Sequence, residues 1–411
     1  MTLIDSTADA PPGGPRPRPA WRFWGAAYAL VVLLAGTNIP TPLYRGYQRE
    51  FGFSPLTVTL IFGVYVTTLI PALLIAGPLS DAIGRRRVLL PAVGLAAIGT
   101  LTFALADGTT WLFAARVLQG AAMGAASGVL TAVLTEQEPG GDRRRAALVT
   151  TAASVGGMGA GPLLSGLLAQ YAPAPRVLAY LVELVLLTVA AVVVAAIPEQ
   201  RTRTPWRPRR PKIPGSMRRV FATAGTASFL AFMVNGLFLT LVPTYVGTLS
   251  GSGNLALSGG AATLMLGCSG IAQVAAYGRQ PQPLLTSGLA LLAGGLVLLA
   301  VAGSAASLPL MLVATAGAGA GLGLTFLGAL TEINQTAPAD RRAEVTSSFY
   351  VIVYLGVGVP VIGVGFLATQ TGLLPAVQWF ACVAAALCLL LLTALVVRNR
   401  RDRSGPGRQA R

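Results

Sequence analysis

The chain has no histidine, and it has one lysine, Lys212, against 29 arginines. Without histidine it lacks the side chain that titrates near neutral pH and the commonest metal ligand. The three cysteines, Cys268, Cys382 and Cys388, all fall inside apolar runs, so neither a disulfide framework nor a metal site is expected. No phosphate-cradling glycine loop and no nucleotide-binding motif is present. No cofactor is therefore expected, and the chain does not read as an enzyme. Charge is scarce too: 11% of residues are charged, where soluble domains carry about 25%. That deficit, spread over 411 residues that are 54% hydrophobic, excludes an ordinary soluble protein. The scarcity of lysine fits a GC-rich bacterial source.

What the chain does have is long apolar stretches. A helix that crosses a bilayer needs about 20 mainly apolar residues. Twelve segments meet that length, beginning near Trp21–Tyr44 and ending near Leu374–Val397. They are too long for barrel strands, which leaves helices as the spanning structure. The expected fold is an all-α polytopic membrane protein, with twelve transmembrane helices in two six-helix halves around a central cavity. The first apolar run is too long for a cleaved leader and reads as an uncleaved insertion signal.

The basic residues fix an expected orientation. With the N-terminus inside, 26 of the 30 fall in cytoplasmic connections or tails. Only Arg45, Arg49 and Arg176 fall outside, and Arg116 lies within the fourth span. Positive residues accumulate on the cytoplasmic side of membrane proteins, so both termini are expected there, in a bacterial cytoplasmic membrane. The net charge of +16 is thus a topology signal in contact with the lipid bilayer, and no nucleic-acid partner is expected.

The organisation follows from the same pattern. Residues 1–20 read as a disordered cytoplasmic tail and 21–197 as the first half. Residues 198–219 read as a basic linker, 220–397 as the second half, and 398–411 as a basic tail. The halves echo each other about 200 residues apart. Leu134-Thr135-Glu136 ends the fourth span and Leu330-Thr331-Glu332 the tenth. Each is followed by Asp-Arg-Arg, at Asp142 and at Asp340. Pro42-Leu43-Tyr44 ends the first span and Pro243-Thr244-Tyr245 the seventh. Parallel repeats of this kind predict a site at their interface, reached alternately from each side.

Three local patterns carry candidate chemistry. Between spans two and three runs GPLSDAIGRRR, Gly77 to Arg87, where Gly77-Pro78 is expected to end the second helix. Asp81 can there bind an arginine or the positive N-terminus of a helix. In the fourth span, RVLQG begins at Arg116. A charge at that depth is expensive unless paired or hydrated. Arg116 shares a helix face with Gln119, Gly120, Met123 and Ser127. The first span offers it no acid, only Thr37, Asn38, Thr41 and Tyr44. Glu183 in the sixth span is the one acid well inside the first half, so an Arg116–Glu183 pair is geometrically open. A fixed ion pair, or a glutamate facing a water crevice, is equally open. In the fifth span Gly157, Gly161, Pro162 and Gly166 permit close helix approach and a bend. Glu136 and Glu332, at the same end of spans four and ten, suit either an inner gate or ordinary boundary charges.

On these residues the chain resembles the major facilitator superfamily, and within it the twelve-span drug–proton antiporters. Gly77, Asp81, Gly84 and Arg85 to Arg87 match its loop signature. Arg116 to Gly120 matches its fourth-span signature, and Gly157, Gly161-Pro162 and Gly166 its antiporter signature, with Ser165 replacing a usual glycine. The second copy of the loop, near Gly278 and Arg279, is eroded. The resemblance implies a conformational latch at Gly77, Asp81, Gly84, Arg85 and Arg86. From their depth in the spans, proton coupling is expected around Arg116, Gln119, Glu183 and Asn38. The substrate cavity is expected from Tyr65, Met123, Asn235, Phe238, Phe326, Tyr350 and Tyr354. So apolar a lining suits small lipophilic compounds better than sugars. The expected function is proton-coupled export of such compounds by a monomer. A proton symporter importing a metabolite, or a non-transporting membrane sensor, are the alternatives.

Overall fold

A computed structural model describes residues 19–199, 213–338 and 341–404. Most of the basic linker, the extreme tails and Asp340 lie outside the described residues. Among those described there are fourteen α-helices, one 3-10 turn and no strand. Twelve spans are long and apolar enough to cross a bilayer, from Ala20–Phe51 to Leu373–Asn399.

In the first half, α1 (Ala20–Asn38) and α2 (Pro40–Phe51) together make the first span. They are separated because Pro40 has no N–H to offer the carbonyl of Gly36. Then follow α3 (Pro55–Ile83), α4 (Arg85–Ala104), α5 (Thr109–Gln137), α6 (Arg143–Tyr171) and α7 (Leu178–Ala195). The second half repeats the scheme with α8 (Arg218–Thr240), α9 (Val242–Leu249), α10 (Leu255–Ala275), α11 (Pro281–Ser304), α12 (Leu308–Thr336), α13 (Arg342–Thr371) and α14 (Leu373–Ser404). Pro243 accompanies the α8–α9 break, as Pro40 and Pro42 accompany the first. Side-chain caps mark several starts. Ser54 accepts from the Thr57 N–H, Asn254 from Leu257 and Asp142 from Arg144 and Arg145.

One expectation fails here. Pro78 does not end the second span, for α3 runs through both Pro71 and Pro78 to Ile83. A proline removes one backbone hydrogen bond, and near the helix end the freed carbonyl can meet water. The break comes at Gly84 instead. Its φ of +106° suits only glycine, and the Glu199 carboxylate fills the place of a Cβ.

One hydrophobic core draws on residues from Met217 to Leu395, the second half alone. Two others are built mainly from the first half. The halves meet along α3 with α13 and α6 with α10. Small residues let the backbones approach there: Gly63 faces Ile362, Gly358 faces Val66, and Gly259 receives the carbonyl of Pro162. Lipid supplies no hydrophobic drive between helices, so such close packing holds the bundle together.

Candidate functional site

The site grows out of the broken end of α1. A helix leaves its last carbonyls without intrahelical donors, and Pro40 sharpens that deficit. α5 supplies the missing donors. Arg116, fully buried, donates through Nη1 to the Thr37 carbonyl at 2.8 Å. Gln119, one turn on, donates to the Gly36 carbonyl at 3.2 Å. Arg116 Nη1 also reaches Gln119 Oε1 at 3.0 Å, and its Nε donates to the Tyr44 hydroxyl at 2.8 Å. A cation at a helix C-terminus is favoured by the helix dipole as well as by these bonds. Four rings surround the guanidinium: Tyr44, Phe62, Tyr65 and Phe103, with centroids 5.5 to 5.7 Å from Cζ. Their faces attract a desolvated cation.

Among the described residues, no carboxylate forms an ion pair with Arg116. The direct Arg116–Glu183 pair is not made: Nη1 and Nε of the guanidinium go to Thr37 O, Gln119 Oε1 and the Tyr44 hydroxyl, and Nη2 has no hydrogen-bond partner among the described residues. The two residues belong to one neighbourhood all the same. Glu183, on α7, is buried, and its Oε1 lies where a Cβ on Gly36 would stand. The Thr100 hydroxyl of α4 faces its carboxyl group. Its Oε2 has no hydrogen-bond partner among the described residues. A small cavity lies between Gly36, Thr37, Gln119, Met123 and Glu183. Asn38 does not join in; its Nδ2 turns back to Leu34 O and Thr37 Oγ1 of its own helix.

An aromatic series crosses toward the second half. Phe232 stands edge-on to Phe326 at 5.1 Å, Phe326 lies 6.4 Å from Tyr350, and Tyr350 lies 6.4 Å from Tyr354. Tyr354 packs against the first-half core that contains Tyr65, and Tyr65 touches the Arg116 cluster and packs on Phe62. Phe326, Tyr350 and Tyr354 are partly exposed. Sequence reasoning missed Phe232; its spacing of three from Asn235 was a weak pointer. Asn235 and Phe238 are buried, Phe238 within the second-half core, and Asn235 Oδ1 has no hydrogen-bond partner among the described residues. Met123 is buried beside the Glu183 cavity.

At the arginine-rich end, Asp81 pairs with Arg85 at 2.6 Å, and Arg85 with Glu136 at 3.0 Å. Arg86 donates to the Ala195 carbonyl and Arg87 pairs with Glu199. These contacts tie the ends of α3, α4, α5 and α7, all within the first half. Gly77 has open space around it. Glu332 is buried near Arg398, which donates to Thr223, so its surroundings belong to the second half. Glu138 went unnoticed in the sequence. Buried, it accepts from the Asp142 N–H and pairs with Arg145, fixing the turn into α6.

The fifth-span pattern divides into two faces. Gly157 and Gly161 receive the backbone of α1, at Val31 and Ala35, while Pro162 and Gly166 pack on α10. Gly159 and Thr263, overlooked in the sequence, join the second face, where Thr263 donates to the Gly159 carbonyl at 2.8 Å.

Among curated proteins, the chain is similar to the puromycin resistance protein pur8 of Streptomyces alboniger, 36% identical over 38% of this chain. It is also similar to the cephamycin export protein CmcT of Amycolatopsis lactamdurans, 32% identical over 48%, and to the putative multidrug resistance protein MdtD of Salmonella typhi, 32% identical over 37%. The matches span 32%, 40% and 32% of those proteins' own lengths. Among solved structures, a bacterial homologue of the human lysosomal transporter Spinster, inward-facing and occupied, shares the fold. Its TM-score is 0.74 at 14% identity, covering 94% of this chain and 98% of that one. The nucleoside transporter NupG shares it too, with TM-score 0.71 at 10% identity, covering 92% and 99%. The sequence profile of the Major Facilitator Superfamily matches residues 26–359, and the chain belongs to that superfamily.

Proposed function

We propose that this protein is a proton-coupled secondary transporter that exports small, mostly hydrophobic compounds across a bacterial cytoplasmic membrane, with both termini on the cytoplasmic side. The observation that carries the reading is Glu183, an acid buried in a membrane span, with one oxygen unbonded and the other pressed against the end of α1. An ionisable group at that depth is expensive and marks ion pathways. With Glu183 ionised, the interior of the first half balances Arg116; with it protonated, the cluster carries a net positive charge. Each proton thus changes the electrostatics at the junction of α1, α5 and α7.

The aromatic series supports a lipophilic substrate, since rings from both halves offer stacking faces and few hydrogen bonds. The relatives named for puromycin resistance and cephamycin export support the outward direction. In this reading, residues 21–197 and 220–397 move as units, and Pro162 bends α6 at their interface. The network of Asp81, Arg85 and Glu136 holds the latch end of the first half together while Asp81 exchanges partners between states. Glu136 and Glu332 serve the gate at that end, and the working unit is a monomer in the bilayer.

The test uses purified protein in vesicles with an imposed pH gradient and a fluorescent lipophilic cation. Glu183→Gln should lose gradient-driven accumulation at least tenfold while keeping substrate exchange without a gradient. Gradient-driven transport by Glu183→Gln with an unchanged pH profile refutes the coupling role.

A further inference from the structure

The end of the bundle away from the arginine-rich loops is closed by three hydrogen bonds between the halves, and two of them are related by the internal repeat. The first residue of α10, Leu255, donates its N–H to Oε1 of Gln170, at the end of α6, at 2.8 Å. Near the start of α3, Leu56 donates its N–H to the hydroxyl of Thr369, at the end of α13, at 3.3 Å. Leu56 and Leu255 stand 199 residues apart, and so do Gln170 and Thr369. The N–H groups of a helix's first turn have no partner in their own helix. Here each half fills one such vacancy for the other. Asn254 and Ser54 already satisfy the N–H groups at Leu257 and Thr57, so the trans acceptors complete half-built caps. The Thr369 hydroxyl proton goes to Gly365 O at 2.9 Å, which leaves its lone pairs for Leu56.

The third bond breaks the symmetry. Arg45 of α2 donates to the Ser252 carbonyl at 3.0 Å, with its guanidinium lying where a Cβ on Gly247 would stand. The residue that follows Tyr245 in the second half is Val246, so only the first half carries this cation. Arg45 is one of three arginines that depart from the charge asymmetry of the chain, and that gives it a purpose other than topology.

We infer that Gln170 and Thr369 form a reciprocal pair of helix caps that, with Arg45 as a clasp, is the gate at the arginine-poor end of the transporter. When the halves part at that end, both caps break together and water takes the freed N–H groups. Their net worth is then small, as a gate that must open on every cycle requires. The inference does not depend on which compound or ion is carried.

The test is a distance measurement on the full chain in lipid nanodiscs. The three native cysteines are replaced by alanine, and spin labels go on Asp107→Cys and Ala305→Cys, in the α4–α5 and α11–α12 connections. Removing one acceptor, by Gln170→Leu or Thr369→Val, should raise the open-to-closed ratio about fivefold, and the double variant by about the product. Gln170→Glu and Thr369→Ser keep an acceptor in place and should return the parent distribution. The single variants are read alone should the double variant not fold. A double variant, or both single variants, with the parent distribution overturns the proposal. So does equal opening by the acceptor-keeping variants.

Discussion

In the first half α6 presses its backbone against that of α1, and this contact sets up a sharp comparison. At Gly161 a Cβ would collide with the carbonyl oxygen of Ala35 and lie 3.0 Å from its carbon and 3.2 Å from its Cα. All three atoms are backbone, so relief requires moving a helix rather than a side chain. Overpacking of this kind costs about 1–3 kcal/mol. At Gly156, five residues earlier on the same helix, a Cβ would meet nothing within 4 Å. There alanine removes only the entropic penalty of glycine and stabilises by about 0.5–1 kcal/mol. The two substitutions add the same methyl to one helix and share its entropic gain, so their stabilities should be separated by the overpacking cost, about 1–3 kcal/mol, with Gly161→Ala the less stable. Thermal unfolding in one detergent, with the parent protein alongside, reads the difference directly. The displaced atoms adjoin Gly36 and Thr37, whose carbonyls hold Gln119 and Arg116. Gly161→Ala should therefore also reduce transport at temperatures where the protein stays folded. Equal stability of Gly161→Ala and Gly156→Ala would sink the assignment of α6 to this contact.

Two further outcomes follow from the same geometry. Gly84→Ala meets both a φ of +106° and the Glu199 carboxylate, and should destabilise by about 1–3 kcal/mol, read by the same unfolding measurement. Arg116→Lys keeps the charge but cannot span Thr37 O, Gln119 Oε1 and Tyr44 Oη in one plane. It should lose about 1.5–3 kcal/mol of stability and most of the transport rate; unfolding and vesicle uptake at or near the parent values would contradict the capping role.

Much of the architecture was legible along the chain because it is written locally. Run length specifies a spanning helix, though the first span, expected as one run over Trp21–Tyr44, is broken at Pro40 and continues to Phe51. Gly-x-x-x-Gly-Pro specifies a helix that others can approach. Pro78 misled because a missing N–H removes one backbone bond without by itself stopping a helix, and α3 runs through Pro71 and Pro78 alike to Ile83.

The partners of the buried polar groups were not legible. The sequence by itself determined that an arginine and a glutamate sit deep in the first half of a twelve-span protein. The tertiary structure decided that Arg116 binds the end of α1 and four rings, that Glu183 faces Gly36 and Thr100, and that Asp81 pairs with Arg85. The physical reason is that a buried polar group can bond only what the fold packs beside it. Which acceptors are near is fixed by the packing of α1 against α5, α6 and α7, and no spacing within a single helix records it.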